Sequence, residues 1–199
     1  AIGRNYADHI KELQNEVPID PVIFLKPDTA LLKNNAPFYY PSFSQNIHYE
    51  VELVIRINKE GKNIKENFAS KYFDRIGLGI DFTARDIQDN LKSKGLPWTL
   101  AKGFNGSAPV SEFIMANEFT DLNAINFSLS VNGVEKQKGF SGNMINSFSQ
   151  IISFISKYIT LKNGDIIFTG TPAGVGPVQI GDKLEGYIDG RKMLDFDVK

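Results

Sequence analysis

Alternating apolar and polar residues, together with short β-branched runs, dominate the hydrophobic pattern of this chain. A period of two residues places neighbouring side chains on opposite faces of a strand, so these segments are expected to form strands. The pairs Asn132-Gly133 and Asp189-Gly190 favour tight turns and indicate antiparallel hairpins in the C-terminal third. The predicted strands are residues 22–25, 50–57, 76–80, 127–131, 165–168, 183–188 and 193–198.

Three segments have helical spacing instead. Residues 143–158 place apolar side chains three and four apart, which predicts a helix that packs on the core. Residues 84–94 follow Thr83, which together with Asp86 has the form of a capping box. Residues 5–13 are a short third candidate that would depend on packing for its stability. The sequence therefore predicts a β-rich α+β fold with few helices.

Acidic residues interrupt the most apolar strand segments. Alternation along residues 48–55 puts Glu50 and Glu52 on one face, roughly 7 Å apart at the backbone, so both carboxylates can reach one cation. Without a cation the two charges would repel each other. Asp81 ends the apolar run of residues 76–80 and completes an all-oxygen set suited to Mg²⁺ or Mn²⁺, with Ca²⁺ as a substitute. The alternatives are a solvated face for the glutamates and helix capping for Asp81.

Other polar residues could supply chemistry next to such an ion. On a helix His9 and Glu12 share a face, and the carboxylate would orient the imidazole and raise its basicity, although such pairs are more often plain surface pairs. Arg85, Gln88 and Lys102 are candidate anion holders whose alternative is routine surface charge. The glycines of residues 170–176 could present N–H groups to a carboxylate, but their spacing fits neither a Walker loop nor a dinucleotide fingerprint.

Composition narrows the classes of function. The 199 residues carry a net charge of −1, and 22 Lys and Arg balance 23 Asp and Glu, so neither nucleic acid nor a membrane is expected as a partner. No apolar stretch reaches the about 20 residues that span a bilayer. The absence of cysteine excludes thiolate chemistry and leads us to expect a cytoplasmic protein. We expect residues 1–199 to form one domain, and the natural chain to begin before Ala1 because no initiator methionine is present.

Six blocks, taken in order along the chain, closely resemble the fumarylacetoacetate hydrolase family. They are residues 3–9 (GRNYADH), 24–27 (FLKP), 48–53 (HYEVEL), 81–88 (DFTARDIQ), 98–102 (WTLAK) and 169–176 (TGTPAGVG). The sequence is most similar to the single-domain branch that includes acylpyruvate hydrolases and oxaloacetate decarboxylases or tautomerases. The resemblance implies a mixed β-sheet roll, a homodimer, and Mg²⁺ or Mn²⁺ held by Glu50, Glu52 and Asp81.

The resemblance also implies roles for the other polar residues. His9 and Glu12 would form a dyad that activates water on a mobile N-terminal lid. Lys102 would count among the catalytic residues as well as among those that hold the substrate, which are Arg85, Gln88, Lys102 and Thr171.

The implied reaction is cleavage of an acylpyruvate, such as acetylpyruvate or fumarylpyruvate, to pyruvate and a carboxylic acid through an enolate stabilised by the metal. Oxaloacetate decarboxylation and oxaloacetate keto–enol tautomerisation are alternatives at the same site. Decarboxylation gives the same pyruvate enolate by loss of CO₂, and tautomerisation needs only proton movement at C3. Two further alternatives are a non-catalytic module that binds a metal or metabolite, and phosphoryl transfer or nuclease action on the acidic residues. The last would require a basic track for phosphates, which the sequence lacks.

Overall fold

A computed structural model describes residues 1–12 and 18–199. Five α-helices are found there: α1 Ala7–Glu12, α2 Glu66–Ala69, α3 Arg85–Ser93, α4 Thr99–Lys102 and α5 Phe148–Tyr158. The strands are β1 Ile2–Gly3, β2 Val22–Ile23, β3 Leu31–Leu32, β4 Ile47–Tyr49, β5 Val51–Ile57, β6 Phe73–Ile80, β7 Thr83–Ala84, β8 Ala108–Pro109, β9 Ile114–Met115, β10 Asn126–Val131, β11 Val134–Phe140, β12 Ile166–Phe168, β13 Gly176–Pro177, β14 Lys183–Ile188 and β15 Arg191–Asp197.

Two four-stranded antiparallel sheets form the body of the molecule. Their strand orders are β11-β10-β14-β15 and β12-β5-β6-β9, and smaller sheets β13-β4-β7, β1-β2 and β3-β8 surround them. The β3-β8 pair is parallel, so the fold is mixed. The two large sheets face each other closely, since a methyl group added at Gly186 of β14 would lie 2.6 Å from the side chain of Leu78 on β6. The predicted β-rich α+β fold is confirmed.

One antiparallel ladder organises the centre of the fold. Strand β4 pairs with β7 and β5 pairs with β6, and both pairings have the same register: Ile47 opposes Ala84, and Val51 opposes Ile80. The N–H of Asp81 donates to the carbonyl oxygen of Glu50 at 2.8 Å, which continues the ladder across the gap between the two pairs. The four strands therefore act as one long two-stranded ribbon.

The two faces of this ribbon differ in character because side chains alternate along it. One face is apolar and fully buried in the main core, and it carries Ile47, Tyr49, Val51, Leu53, Ile55 and Ile57 opposite Ile76, Leu78, Ile80, Phe82 and Ala84. The other face carries His48, Glu50 and Glu52 opposite Asp81 and Thr83. Burial of the apolar face fixes the register, since a slip by one residue would turn the acidic side chains into the core.

The helices differ from their predictions at their first residues. The helix predicted from residue 143 begins at Phe148, because Ser147 and Gln150 form a capping box before it. The Ser147 hydroxyl accepts the Gln150 N–H, and the side-chain oxygen of Gln150 accepts the Ser147 N–H. This capping box was visible in the sequence and was missed.

The capping box predicted at Thr83 is wrong. No side chain caps α3, and Thr83 Oγ1 bonds to the Asp81 carbonyl oxygen instead. The carboxylate of Asp86 accepts bonds from the Ser44 hydroxyl and the Gln45 N–H, which ties the start of α3 to the segment before β4.

The remaining predictions hold with shifted ends. All seven predicted strands are present, although the first ends at Ile23 and the segment of residues 50–57 begins at Val51. The helix predicted for residues 5–13 is α1, and Leu13 lies outside the described residues.

No helix in the described part of the chain is both long enough and apolar enough to cross a membrane.

Candidate active site

Three buried carboxylates meet on the polar face of the ribbon. One oxygen from each of Glu50, Glu52 and Asp81 lies within 4.8 Å of the other two. Their residues are 5%, 1% and 0% exposed, so the solvated face considered for the glutamates is wrong. The ladder explains the meeting, because Glu50 and Glu52 are next neighbours on one face and Asp81 opposes Glu50.

Glu50 is held by two cations. Lys102 Nζ lies 2.7 Å from Glu50 Oε2, and Arg85 Nη2 lies 2.5 Å from Glu50 Oε1. Burial alone would raise the pKa of Glu50, but these cations lower it well below its usual value. Lys102 also donates to Asp81 Oδ2 and to Thr83 Oγ1, both at 2.6 Å. Although burial disfavours its charge, Asp81 and Glu50 raise the pKa of Lys102, so its ammonium group stays protonated.

A second buried lysine, Lys26, was not assigned a role from the sequence. Its ammonium group lies 2.7 Å from Asp81 Oδ1 and bonds to the carbonyl oxygens of Lys102 and Ser107 and to the Ser107 hydroxyl. Burial lowers the pKa of Lys26, and Asp81 opposes that effect. The one feature of the sequence that pointed to Lys26 is its place in the FLKP block of the family resemblance. Hydrophobic periodicity could not identify it, because a single lysine after the apolar residues 22–25 is no different in pattern from a surface lysine.

Glu52 differs from its two acidic neighbours. Its carboxylate accepts the N–H of Gly170 at 2.7 Å, whereas lysine and arginine side chains hold Glu50 and Asp81. Burial and the nearby Asp81 raise the pKa of Glu52 well above its usual value. Gly170 has a φ of 104°, and a methyl group there would lie 2.6 Å from Asn5 Cβ. A glycine is therefore required where the backbone turns toward Glu52.

The acidic residues fit a divalent cation. Three carboxylates converge within 4.8 Å, one has a raised pKa, and Asp81 Oδ1 is buried without accepting a well-directed hydrogen bond, even though Lys26 lies near it. A cation would relieve the repulsion between the carboxylates and would give Asp81 Oδ1 a second positive partner besides Lys26. Oxygen ligands alone favour a hard ion of the Mg²⁺, Mn²⁺ or Ca²⁺ class.

The predicted His9–Glu12 pair forms and faces this acidic cluster. His9 Nδ1 lies 3.3 Å from Glu12 Oε2, and Glu12 Oε1 accepts the N–H of Gly174 at 3.0 Å. Because the carboxylate is an acceptor, Nδ1 carries the hydrogen and Nε2 is left as the basic nitrogen. Burial lowers the pKa of His9, although Glu50 and Glu12 oppose the shift. The side chain of His9 is 7% exposed, so the reading as a plain surface pair is wrong.

Arg85 fixes the orientation of Gln88. Arg85 Nη1 donates to Gln88 Oε1 at 2.6 Å, which leaves the amide nitrogen Nε2 of Gln88 as the free end. Both residues are buried and line the same cavity as His9 and the acidic cluster. Gln88 can therefore donate a hydrogen bond to a ligand oxygen in that cavity.

Thr171 reaches the cavity from the loop after β12. Its hydroxyl donates to the Val51 carbonyl oxygen at 2.8 Å and accepts from Gln137 Nε2 at 2.9 Å. Gln137 is buried and also accepts the Val51 N–H, so it joins this loop to the central ribbon. Every predicted site residue except Glu12 lines one cavity, and Glu12 is connected to it through His9. The wall of the cavity also contains Phe24 and Trp98.

Comparison with known proteins agrees with this arrangement. The family described as Fumarylacetoacetate (FAA) hydrolase C-terminal matches residues 1–198. The chain belongs to this family. It is 47% identical to oxaloacetate tautomerase FAHD1 of Mus musculus over 198 residues, covering 100% of this chain and 90% of that protein. It is 44% identical over 200 residues to the oxaloacetate decarboxylase of Dictyostelium discoideum, with the same two coverages.

A solved structure with a similar fold was determined in complex with a metal. The structure of fumarylpyruvate hydrolase from Pseudomonas aeruginosa in complex with Mn²⁺ and pyruvate matches with a TM-score of 0.94 and 35% identity, covering 99% of this chain and 87% of that one. The chain is therefore an enzyme of this family.

The comparisons correct the expected location. The relatives from Mus musculus and Dictyostelium discoideum are both mitochondrial proteins, which contradicts the expected cytoplasmic location. The absence of cysteine suits any reducing compartment, so it could not distinguish the two.

Proposed function

We propose that this enzyme is a divalent-metal-dependent oxaloacetate keto–enol tautomerase that also decarboxylates oxaloacetate at the same site. Among the alternatives from the sequence, this one has the support of relatives that are 44% to 47% identical over their matched lengths. The observation that carries it is a neutral, buried His9 facing a cluster of carboxylates and cations, since tautomerisation needs one base and a place for enolate charge.

The metal contributes one kind of chemistry. A divalent ion held by Glu50, Glu52 and Asp81 would act as a Lewis acid toward negative charge on the 2-oxo oxygen. The protein supplies the remaining steps.

His9 is the proton carrier in this proposal. Its Nε2 removes a proton from C3 of the keto form, and the electron pair of that C–H bond becomes the C2–C3 double bond while negative charge develops on the 2-oxo oxygen. The same nitrogen returns the proton to that oxygen, so the keto form is converted to the enol without loss of atoms. Glu12 fixes the tautomer of His9 and stabilises its transient positive charge.

Two cationic side chains and one amide hold the substrate in this proposal. Lys102 keeps its proton and offers a fixed positive charge to the enolate, and Arg85 and Gln88 offer N–H donors to carboxylate oxygens. Decarboxylation uses the same charges: the C3–C4 bond breaks, CO₂ leaves, and the electron pair of that bond becomes the C2–C3 double bond of the pyruvate enolate. The enolate then takes a proton from solvent at C3.

Hydrolysis of acylpyruvates, the main expectation from the sequence, is the second candidate. The structural likeness to fumarylpyruvate hydrolase favours it, and the His9–Glu12 pair is suited to deprotonating a water molecule. The relatives of highest identity named above support the oxaloacetate reactions better.

The test compares the substrates with one preparation of Mn²⁺-loaded enzyme. Oxaloacetate is followed by enol absorbance and by CO₂ release, and fumarylpyruvate and acetylpyruvate by pyruvate release, each against a blank with Mn²⁺ alone. His9→Asn should remove tautomerisation, whereas Lys11→Ala, an exposed change on the same helix, should not. Higher kcat/KM for either acylpyruvate than for oxaloacetate would establish the second candidate instead, and activity in excess EDTA would refute both.

A further inference from the structure

His48 lies on the polar face of the central ribbon, beside Arg85. His48 opposes Thr83, and Ile47 opposes Ala84, so the next position of the ladder brings Asn46 opposite Arg85. The Arg85 N–H donates to the Asn46 carbonyl oxygen at 2.8 Å and completes that position. Diagonal neighbours on one face of an antiparallel pair are within reach of long side chains, which makes His48 and Arg85 potential partners.

The ring of His48 is held in one orientation. Its Nε2 lies 2.9 Å from Asn46 Oδ1, an acceptor, so Nε2 carries the hydrogen. The other nitrogen, Nδ1, is therefore a hydrogen-bond acceptor, and it is buried without a partner in the described structure. A buried acceptor without a partner is costly, and a second arrangement that satisfies it would be favoured.

Arg85 has the complementary group. Nη1 and Nη2 of its guanidinium donate to Gln88 and Glu50, respectively, whereas Nε is buried without a partner among the described residues. The backbone on both sides is fixed, because Asp86 ties the start of α3 to Ser44 and Gln45. The movement that this fixed backbone leaves open to Arg85 is a change in its side-chain torsions, which would carry the donor toward the acceptor.

The position of Glu50 explains why the Arg85 side chain would change its torsions. It binds Arg85 in this structure, and it is also one of the three carboxylates that converge as a cation site. A divalent cation would compete with Arg85 for the charge of Glu50 and would weaken the hold on the guanidinium. Arg85 then needs another fixed partner if its N–H groups are to face a substrate carboxylate.

We propose that His48 is a positioning residue, which accepts a hydrogen bond from Arg85 Nε through Nδ1 and so directs the guanidinium toward the substrate carboxylate. The proposal deepens the proposed function, on which it rests for the identity of the substrate. It adds a residue outside the predicted site set and gives both buried, unpaired atoms a partner.

The test is a double-mutant cycle on the binding of oxalate, a dicarboxylate that lacks the C3 carbon at which both proposed reactions of oxaloacetate take place. Wild type, His48→Phe, Arg85→Gln and the double variant are loaded with Mn²⁺, and the Kd of oxalate is measured by calorimetry. Mn²⁺ affinity is measured separately by electron paramagnetic resonance. His48→Phe keeps a planar ring but removes the acceptor, and His48→Asn restores an acceptor near the position of Nδ1.

His48→Phe should weaken oxalate binding by about 5- to 20-fold when Arg85 is present and less than about 2-fold in the Arg85→Gln background. Mn²⁺ affinity should change less than about 2-fold, and His48→Asn should recover most of the oxalate affinity. Equal weakening in both backgrounds would overturn the proposal, as would a matching loss of Mn²⁺ affinity. If His48→Phe does not fold, His48→Leu takes its place. A lack of tautomerase activity would refute the proposed function and would leave this cycle readable.

Discussion

Glu52 lies directly opposite Gly79 on the antiparallel strands β5 and β6. A side chain at position 79 would share the polar face with Glu52, and its Cβ would come within 2.5 Å of the Phe168 ring. The glycine therefore lets the ring from β12 pack against the ribbon next to the acidic cluster. This pairing links the packing of the sheet to the geometry of the candidate metal site.

Gly79→Ala should lower the free energy of unfolding by about 2 kcal/mol, because overpacking forces Phe168 out of place. Gly77→Ala is the matched comparison on the same strand, since its Cβ would meet Phe113 at 3.1 Å and the cost should be smaller. Urea denaturation of both variants measures the difference. An equal loss in the free energy of unfolding for the two variants would show that Phe168 adapts without strain.

Glu52→Gln should raise the stability of the metal-free protein by about 1 kcal/mol, because it removes a buried carboxylate that Asp81 and Glu50 repel. The same change should weaken Mn²⁺ binding at least about 100-fold, because a ligand charge is lost. Glu50→Gln should destabilise the protein by about 3 kcal/mol, since Lys102 and Arg85 lose their anion. If Glu52→Gln lowers the stability of the metal-free protein as Glu50→Gln does, then Asp81 and Glu50 do not repel the Glu52 carboxylate as described.

The metal-free protein should lose part of its stability as the pH rises. Glu52 has a folded-state pKa above its ordinary value of 4.5, so the folded protein binds a proton more tightly than the unfolded chain. The stabilising contribution is present below the ordinary pKa and is lost as the pH rises through the folded value. Urea titrations in EDTA at a series of pH values measure it, with Glu52→Gln as the control that should lack it. Saturating Mn²⁺ should abolish the loss.

Protonation of His9 should set the acidic limb of the pH–rate profile of the proposed reaction. Burial lowers its pKa below 6.5, so kcat/KM for oxaloacetate should be level near neutral pH and should fall only as the pH drops through that lower value. Glu12 raises the pKa of His9, so Glu12→Gln should move the limb to a still lower pH. Steady-state rates from about pH 5 to 8 test both statements. A limb above 6.5 would show that another group is titrating.

Gln88→Glu should raise the KM for oxaloacetate at least about 10-fold, equivalent to about 1.4 kcal/mol. The new carboxylate still accepts the bond from Arg85, but it replaces the amide donor and adds negative charge facing an anionic substrate. Asn90→Asp adds the same charge at an exposed position of α3 and should leave the KM unchanged. An equal rise in the two variants would indicate a long-range charge effect rather than a lost donor.

Much of the fold could be predicted from local pattern. Strands and turns followed from alternation and from Asn-Gly and Asp-Gly pairs, because these signals depend on residues close in sequence. The helix starts were less predictable. Thr83 has the residue type of a cap, but its side chain is taken by the polar face of the ribbon, where it bonds to the Asp81 carbonyl oxygen and to Lys102. Tertiary contacts therefore decided whether the Thr83 side chain caps α3 or bonds on the polar face of the ribbon.

The sequence by itself determined that Glu50 and Glu52 share one face of a strand, because the period of a strand is two residues. Residue pattern also made Asp81 a candidate third ligand and put His9 and Glu12 on one helix face, and the family resemblance then implied the roles of water activation and substrate binding. Only the tertiary structure placed Lys26 beside Asp81, turned Gly170 toward Glu52 and left His48 and Arg85 with complementary unpaired atoms. These relationships join residues that are far apart in sequence, and they depend on strand register and burial, which no local pattern encodes.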